Sequence, residues 1–249
     1  MDDGAWHAAC ALVEHLRSLS PERVREELLK VLGQDRRPST SLALYAESGA
    51  LAVLYPELQS LRDRGGWQQS LARVDRLPAG RPFLRLAALL RGLPAEDVAA
   101  LLFRLRLSNV QTDETGHLAG ADPLPGSDAS EADVRRWLRR SGPKRVSAIA
   151  RIEVAAVRDD PVRRAEVVDA WRRARAVRRS RPPLDVKDLA LNGRDLMRLG
   201  MKPGPHFGTI LERLLDHVLE DPSRNDPDWL AEEAGRIDAT LASEQEEGK

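Results

Sequence analysis

Apolar residues recur three and four positions apart along almost the whole chain, and a proline or glycine stands at nearly every place where that rhythm stops. This is the period of amphipathic helices with one inward face. No stretch sustains the alternation of two that a half-buried strand needs, and no internal repeat is visible. The pattern predicts an elongated, all-α fold of about ten or more helices in two to three subdomains.

In the first half, Trp6 to Leu16 reads as a helix with Trp6, Ala9, Cys10, Val13 and Leu16 on one face. Ser20 caps the next helix and Pro21 takes its first turn; Val24, Leu28, Val31 and Leu32 form its inner side and Gly33 ends it. A polar loop through Pro38 leads to a helix over Ser41–Ser48, closed by Gly49, and the apolar run Leu51–Leu54 is stopped by Pro56. Leu71, Val74 and Leu77 suggest a short helix, and Phe83 to Leu93 is apolar enough to be buried on most sides. Pro94 then opens a helix carrying Val98, Leu101, Leu102 and Leu105. Ser108 to Ser130 is the least regular stretch and reads as a short helix, a loop and a subdomain boundary.

In the second half, Ser130-Glu-Ala-Asp133 is a capping box. Val146, Ile149, Ile152 and Ala156 mark one helix; Pro161 opens another with Val162, Ala165, Val168 and Trp171 inward, and Ser180-Arg-Pro-Pro183 is a stiff linker. Asn192 caps a short helix with Asp195 three residues on, and Gly200 supplies its left-handed end. Lys202-Pro-Gly-Pro205 is a rigid turn, and Pro205 opens a long helix with Phe207, Ile210, Leu211, Leu214, Leu215 and Val218 on one face. Asp226-Pro227 starts a last helix with Leu230, Ala234, Ile237 and Leu241 inward, and Ser243 to Lys249 is expected to fray.

With 42% hydrophobic and 31% charged residues, the chain has the composition of a soluble globular protein long enough for a real core. Cys10 is the one cysteine, which rules out a disulfide framework and fits a reducing, cytoplasmic setting. No apolar run approaches the roughly 20 residues of a membrane span, and the acidic start Met-Asp-Asp-Gly lacks the basic region of a secretory signal.

The formal net charge of zero hides an asymmetry. Arg135 to Arg181 holds 16 Lys or Arg against 5 Asp or Glu, a net of +11, which the remainder balances with −11. Such a segment fits either a polyanionic partner or a solvated, arginine-rich helix face. Arg172, Arg173, Arg175, Arg178 and Arg179 crowd the last turns of one helix, where cations also suit the dipole. A second candidate is the helix start at Pro205, whose first N–H groups lack internal partners. Arg194, Lys202 and His206 flank it and Gly204 allows close approach; the alternative is that the turn only sets an angle between helices. The five Trp fit a core better than a stacking platform, and the acidic pairs Asp2-Asp3, Asp159-Asp160 and Glu232-Glu233 read as surface.

Two ordered stretches carry a resemblance. Val186-Lys-Asp-Leu-Ala-Leu-Asn-Gly-Arg-Asp-Leu196, Gly200-Met-Lys-Pro-Gly-Pro205 and Ile210-Leu-Glu-Arg-Leu-Leu215 resemble the C-terminal region of bacterial class II tRNA nucleotidyltransferases, the CCA-adding enzymes of the poly(A) polymerase family. Ser20-Pro-Glu-Arg-Val-Arg-Glu-Glu-Leu-Leu-Lys-Val-Leu32, Ala46-Glu-Ser-Gly-Ala-Leu51 and Tyr55-Pro-Glu-Leu58 are similar to the RNA-binding neck of the same family.

The resemblance implies neck, body and tail: 1–62 neck remainder, 63–125 helical body, 126–183 basic body or tail segment, and 184–249 tail with the Pro-Gly-Pro turn. It implies tRNA as partner, with Arg172, Arg173, Arg175, Arg178, Arg179, Arg194, Lys202, Gly204 and His206 as RNA-binding residues. The family's reaction uses two strand-borne acids holding Mg²⁺, with CTP and ATP, in an N-terminal head. These 249 residues contain no Gly-rich nucleotide loop and no strand-borne Asp-x-Asp, and the family's Glu-Asp-x-x-Arg neck motif is absent from its place just before the region matching Asp2–Leu16. The expectation is therefore no catalytic or metal-binding residue here, no cofactor bound by this chain, and a head that is missing through truncation or encoded separately. Some related enzymes carry a metal-binding His-Asp pair; the matching stretch here is Leu89-Leu-Arg-Gly92, and no His precedes an Asp in the chain, so an HD-type phosphohydrolase is rejected. The rival readings are a helical protein-interaction module that no longer binds RNA, favoured by an exposed apolar patch or a stable homodimer, and the arm of a poly(A) polymerase.

Overall fold

The computed structural model describes residues 2–247, the side chains of 244–247 excepted. The fold is all-α: every regular element among the described residues is helical, and the one strand-like contact is an isolated bridge between Arg91 and Leu93. The chain forms two compact units, each built from two stretches. Unit 1 takes residues 1–123 and 147–168; unit 2 takes 124–146 and 169–249, so residues 126–183 contribute to both.

Unit 1 begins with α1 (Asp3–Ala11) and a 3-10 turn, Val13–Ser18, followed by α2 (Pro21–Gln34), α3 (Pro38–Glu47), α4 (Ala50–Leu54), α5 (Pro56–Asp63) and α6 (Trp67–Asp75). It continues through α7 (Pro82–Leu90), α8 (Ala95–Arg104) and α9 (Asn109–Ala119). Helix α7 is the centre: it packs against α2, α6 and α9, and Leu84 through Leu90 are all buried. That is the apolar run expected at Phe83–Leu93, with one charged residue inside it. Arg85 is 1% exposed, and its guanidinium donates to the carbonyls of Leu77 (2.7 and 3.2 Å), Leu32 (2.8 Å) and Asp35 (2.8 Å). Leu32 lies in the last turn of α2, where carbonyls have no partner within the helix. One cation thereby closes the end of α2 and the chain leaving α6. Burial holds the Arg85 guanidinium below its usual pKa, against an opposing pull from Asp75 and Asp35.

Unit 2 holds α10 (Glu131–Ser141), the second half of α12 (Pro161–Arg179), α13 (Gly193–Arg198), α14 (His206–Glu220) and α15 (Pro227–Glu247). Its core gathers Leu196, Ile210, Leu214, Leu215, Val218, Leu230, Ala234 and Ile237, so the apolar faces of α14 and α15 meet as their spacing requires. Arg135, 6% exposed, closes the end of α14 by donating to the carbonyls of Leu219 (2.6 Å) and Glu220 (2.8 Å).

The local signals behave as expected. Ser20 Oγ accepts from the Arg23 N–H, Ser130 and Asp133 form their capping box, and so do Asn192 and Asp195. Gly200 is left-handed at φ 87°, and Asp226 Oδ1 accepts from the N–H groups of Asp228 and Trp229.

Four readings need correction. The Trp6–Leu16 helix stops at Ala11 and gives way to the 3-10 turn; its face is half-buried at Trp6, Cys10, Val13 and Leu16, with Ala9 exposed, and no residue of α1 is fully buried. Residues 108–130, by contrast, are as read, with helix α9 capped reciprocally by Ser108 and Gln111, then a loop in which the boundary between the units falls after Pro123. In α11 (Val146–Ala156) the inner position is Ala155 rather than Ala156. On α12, Val162 is 68% exposed and Ala165 is exposed; the buried positions are Ala174 and Val177. The tail expected to fray from Ser243 instead continues α15 to Glu247, with Ser243 Oγ donating to the Ala239 and Thr240 carbonyls; residues 248 and 249 lie outside the described residues.

Candidate nucleic-acid interface

The five arginines in the last turns of α12, Arg172 to Arg179, are not equivalent. Arg172 Nη1 lies 2.8 Å from Asp169 Oδ1, an exposed pair three residues apart. Arg173 donates to the carbonyls of Ser127 (2.9 Å), Pro125 (3.2 Å) and Gly126, fastening the loop before α10. Arg175 lies over the Trp171 ring, 5.5 Å from its centroid, as a cation on an aromatic face. Arg178 and Arg179 have no carboxylate or carbonyl partner among the described residues. Helical spacing explains the difference between these last two. Arg178 follows Trp171 by seven and Ala174 by four, so it shares their inner face and is half-buried, whereas Arg179 is exposed.

The second candidate set lies around the turn between α13 and α14. Arg194 and Lys202 are exposed, and Pro205 opens α14 without any side-chain cap. Two features narrow the space for an anion. The Phe207 N–H is already donated to the Gly204 carbonyl at 3.1 Å. The His206 ring lies over Gly204: a Cβ there would meet its Nδ1 at 2.8 Å. His206 Nε2 in turn sits 3.7 Å from Asp238 on α15, and its ring meets Phe207 edge-on at 5.1 Å. His206 thus ties the turn to α15, while Lys202 and Arg194 stay available.

Sequence reasoning passed over Arg181 and Lys187, which the structure brings together with Arg178 around one groove of unit 2. A signal existed at Arg181: a residue after a helix end and before Pro182 is conformationally restricted. Among the described residues no three His, Cys, Asp or Glu side chains converge as a metal site, and no helix is long and apolar enough to cross a membrane.

Comparison with known proteins bears out the recognition. Residues 1–61 match the family model "Probable RNA and SrmB- binding site of polymerase A", and residues 85–234 match "tRNA nucleotidyltransferase domain 2 putative". A CCA-adding enzyme of Lactobacillus delbrueckii subsp. bulgaricus is 26% identical over 225 residues, covering 88% of this chain and 51% of the relative. One from Lactobacillus helveticus is 26% identical over 230 residues, covering 87% and 50%. A third, from Coxiella burnetii, is 34% identical over 97 residues, covering 39% and 24%. The chain spans about half the length of the first two relatives. No solved structure matches.

Proposed function

The chain belongs to the tRNA nucleotidyltransferase domain 2 family, and from that premise we propose that the task of these residues is to hold tRNA while a catalytic head outside these 249 residues adds nucleotides to the 3′ end. The observation that carries this reading is the exposed, carboxylate-free cation at the end of α12, Arg179, with Lys202 and Arg194 exposed on the same unit. Cations of this kind meet phosphates and suit the shape-based reading of A-form RNA, whose deep major groove side chains do not enter. The neck helices α2 to α5, within the segment matching an RNA-binding model, give unit 1 a share in the same task. The Mg²⁺ and the incoming CTP or ATP belong to the head in this reading; among the described residues no three His, Cys, Asp or Glu side chains gather as a metal site. The setting is cytoplasmic, where tRNA is matured.

The test is titration of the chain with a tRNA that ends before CCA, over a series of salt concentrations. Log affinity falls linearly with log salt, by roughly 0.7 to 0.9 per phosphate contact. The same sample with Mg²⁺, CTP and ATP leaves the tRNA 3′ end unextended. Salt-insensitive or absent tRNA binding overturns the binding role in favour of a protein-interaction module. Extension of the tRNA by a pure sample overturns the division between arm and head.

A further inference from the structure

Helix α12 ends in an unusual way. Two residues past its last turn, where helices commonly place a glycine in the left-handed conformation, the chain has Arg181 at φ 50°. Pro182 follows and restricts this residue further. The comparable residue after α13 is Gly200, at φ 87°. A large side chain held in a sparsely populated conformation points to a use for that side chain.

Arg181 lines a groove of about 890 Å³ in unit 2, together with Arg178. That volume falls in the range of roughly 300 to 1,000 Å³ typical of small-molecule sites. Most charges around the groove are already matched. Arg139 pairs with Glu212 and Asp216. Asp188 accepts from the N–H groups of Leu184 and Asp185, both at 3.1 Å. Asp185 accepts from the Lys187 N–H and lies 3.8 Å from its ammonium. Asn225 accepts from the Ala190 N–H and donates to the Asp188 carbonyl.

What remains unmatched is Arg178 and Arg181. Neither guanidinium has an acceptor among the described residues, and Arg178 Nε is buried without one. Other buried Nε atoms belong to arginines whose Nη groups are engaged: Arg73 on the Ala88 and Arg91 carbonyls, Arg173 on the loop carbonyls. A buried guanidinium donor such as Arg178 Nε is costly to leave unpaired, and Arg181, exposed on the same groove, adds a second guanidinium of the kind that suits phosphate oxygens. Beside them the wall is apolar and rigid, formed by Pro143, Pro182, Pro183 and Leu184.

We propose that this groove binds a nucleoside phosphate, its phosphate on Arg178 and Arg181 and its base against the proline wall. The ligand is either a free nucleotide or one phosphodiester-linked residue of an RNA. The site is separate from the exposed cations on which the tRNA reading rests, and the two can fail independently.

The experiment uses the whole chain and isothermal titration with AMP, the dinucleotide UpU and inorganic phosphate. AMP or UpU binds with millimolar or better affinity, and inorganic phosphate binds at least about tenfold more weakly, because it lacks the apolar contact. Binding of AMP alone identifies a free nucleotide as the ligand; binding of UpU at least as tight identifies an RNA residue. Replacing Arg178 and Arg181 together with Gln lowers the affinity about tenfold or more, whereas Arg236→Gln, on α15 outside the groove, leaves it within about twofold. Arg181→Gly is the control for folding: glycine accepts a positive φ, so Tm holds or rises while ligand affinity falls. The proposal is overturned if neither AMP nor UpU binds, if inorganic phosphate binds as tightly as both, or if the Arg178/Arg181 variant binds like the parent. Loss of nucleotide binding with tRNA binding intact defeats only the groove; nucleotide binding without tRNA binding defeats only the tRNA role.

Discussion

Each unit contains a helix that ends on a left-handed arginine, and the two are treated in opposite ways. In unit 1, Arg106 follows α8 at φ 49°; its guanidinium pairs with Glu22 at 2.9 Å and its carbonyl accepts from Arg25 at 2.8 Å. In unit 2, Arg181 follows α12 at φ 50° with neither kind of partner among the described residues. The first strain is held by contacts within the protein, so no ligand is needed to account for it. The second has only a groove in front of it. An arginine-rich sequence therefore says little about binding until the guanidiniums that close helix ends are subtracted. Unit 1 uses Arg62, Arg73, Arg76, Arg85 and Arg91 on main-chain carbonyls. Unit 2 uses Arg135 and Arg173 so, and leaves Arg178, Arg179 and Arg181 unmatched.

The largest effect that would sharpen this contrast is at the two buried arginines. Arg85→Met leaves the carbonyls of Leu32, Asp35 and Leu77 without their donor, and unit 1 should lose about 3–5 kcal/mol, at roughly 1–3 kcal/mol for each buried carbonyl left unpaired. Arg135→Met strands two carbonyls at the end of α14 and should cost unit 2 less, about 2–3 kcal/mol. Urea denaturation followed by far-UV circular dichroism measures both. Negligible losses would mean that these arginines do not close the helix ends energetically, and equal losses would mean that the number of carbonyls bound does not set the cost.

A smaller effect separates the arginines of α12. Arg179→Glu removes an unmatched cation, so tRNA affinity falls and the salt slope drops by roughly one contact. Arg172→Glu removes one already paired with Asp169 and should change both less. Charge reversal at Arg173 is a poor probe of RNA, because it also releases the loop at 125–127. If Arg172→Glu weakens tRNA binding as much as Arg179→Glu, internal pairing does not decide which cations reach the RNA.

What the sequence made legible was local. Ser20, Ser130 with Asp133, and Asn192 with Asp195 announce their caps because the bonded groups lie two or three residues away. Helical periodicity was enough for the all-α fold. What stayed hidden depends on distant partners. Arg85 looked like a blemish in an apolar run because the carbonyls it binds at Leu32 and Asp35 come 53 and 50 residues earlier. Arg173 looked like a free cation because the loop it fastens lies 46 to 48 residues back. The groove draws on positions from Arg139 to Asn225, and no local spacing encodes that assembly. The exposure of the first half of α12 was unreadable for the same reason: an amphipathic pattern names a face that could be buried, not the element that buries it.

The smallest expected effects are at the Pro-Gly-Pro turn, where two roles compete at one place. Gly204→Ala puts a methyl 2.8 Å from His206 Nδ1, so the imidazole must swing away and its contact with Asp238 is lost. The obstacle is a rotatable side chain rather than backbone, and that contact is a half-exposed one of 3.7 Å, so stability should change by no more than about 0.5 kcal/mol. Lys202→Glu touches no internal contact and changes only the field in front of α14. If the turn meets an RNA phosphate, Lys202→Glu weakens tRNA binding by several-fold at low salt, the loss shrinks as salt rises, and Tm holds. Gly204→Ala should then weaken binding as well, by narrowing the approach to the backbone. If Lys202→Glu leaves affinity unchanged, the turn serves as the hinge between α13 and α14, His206 serves only to tie it to α15, and the tRNA contacts of unit 2 lie on α12.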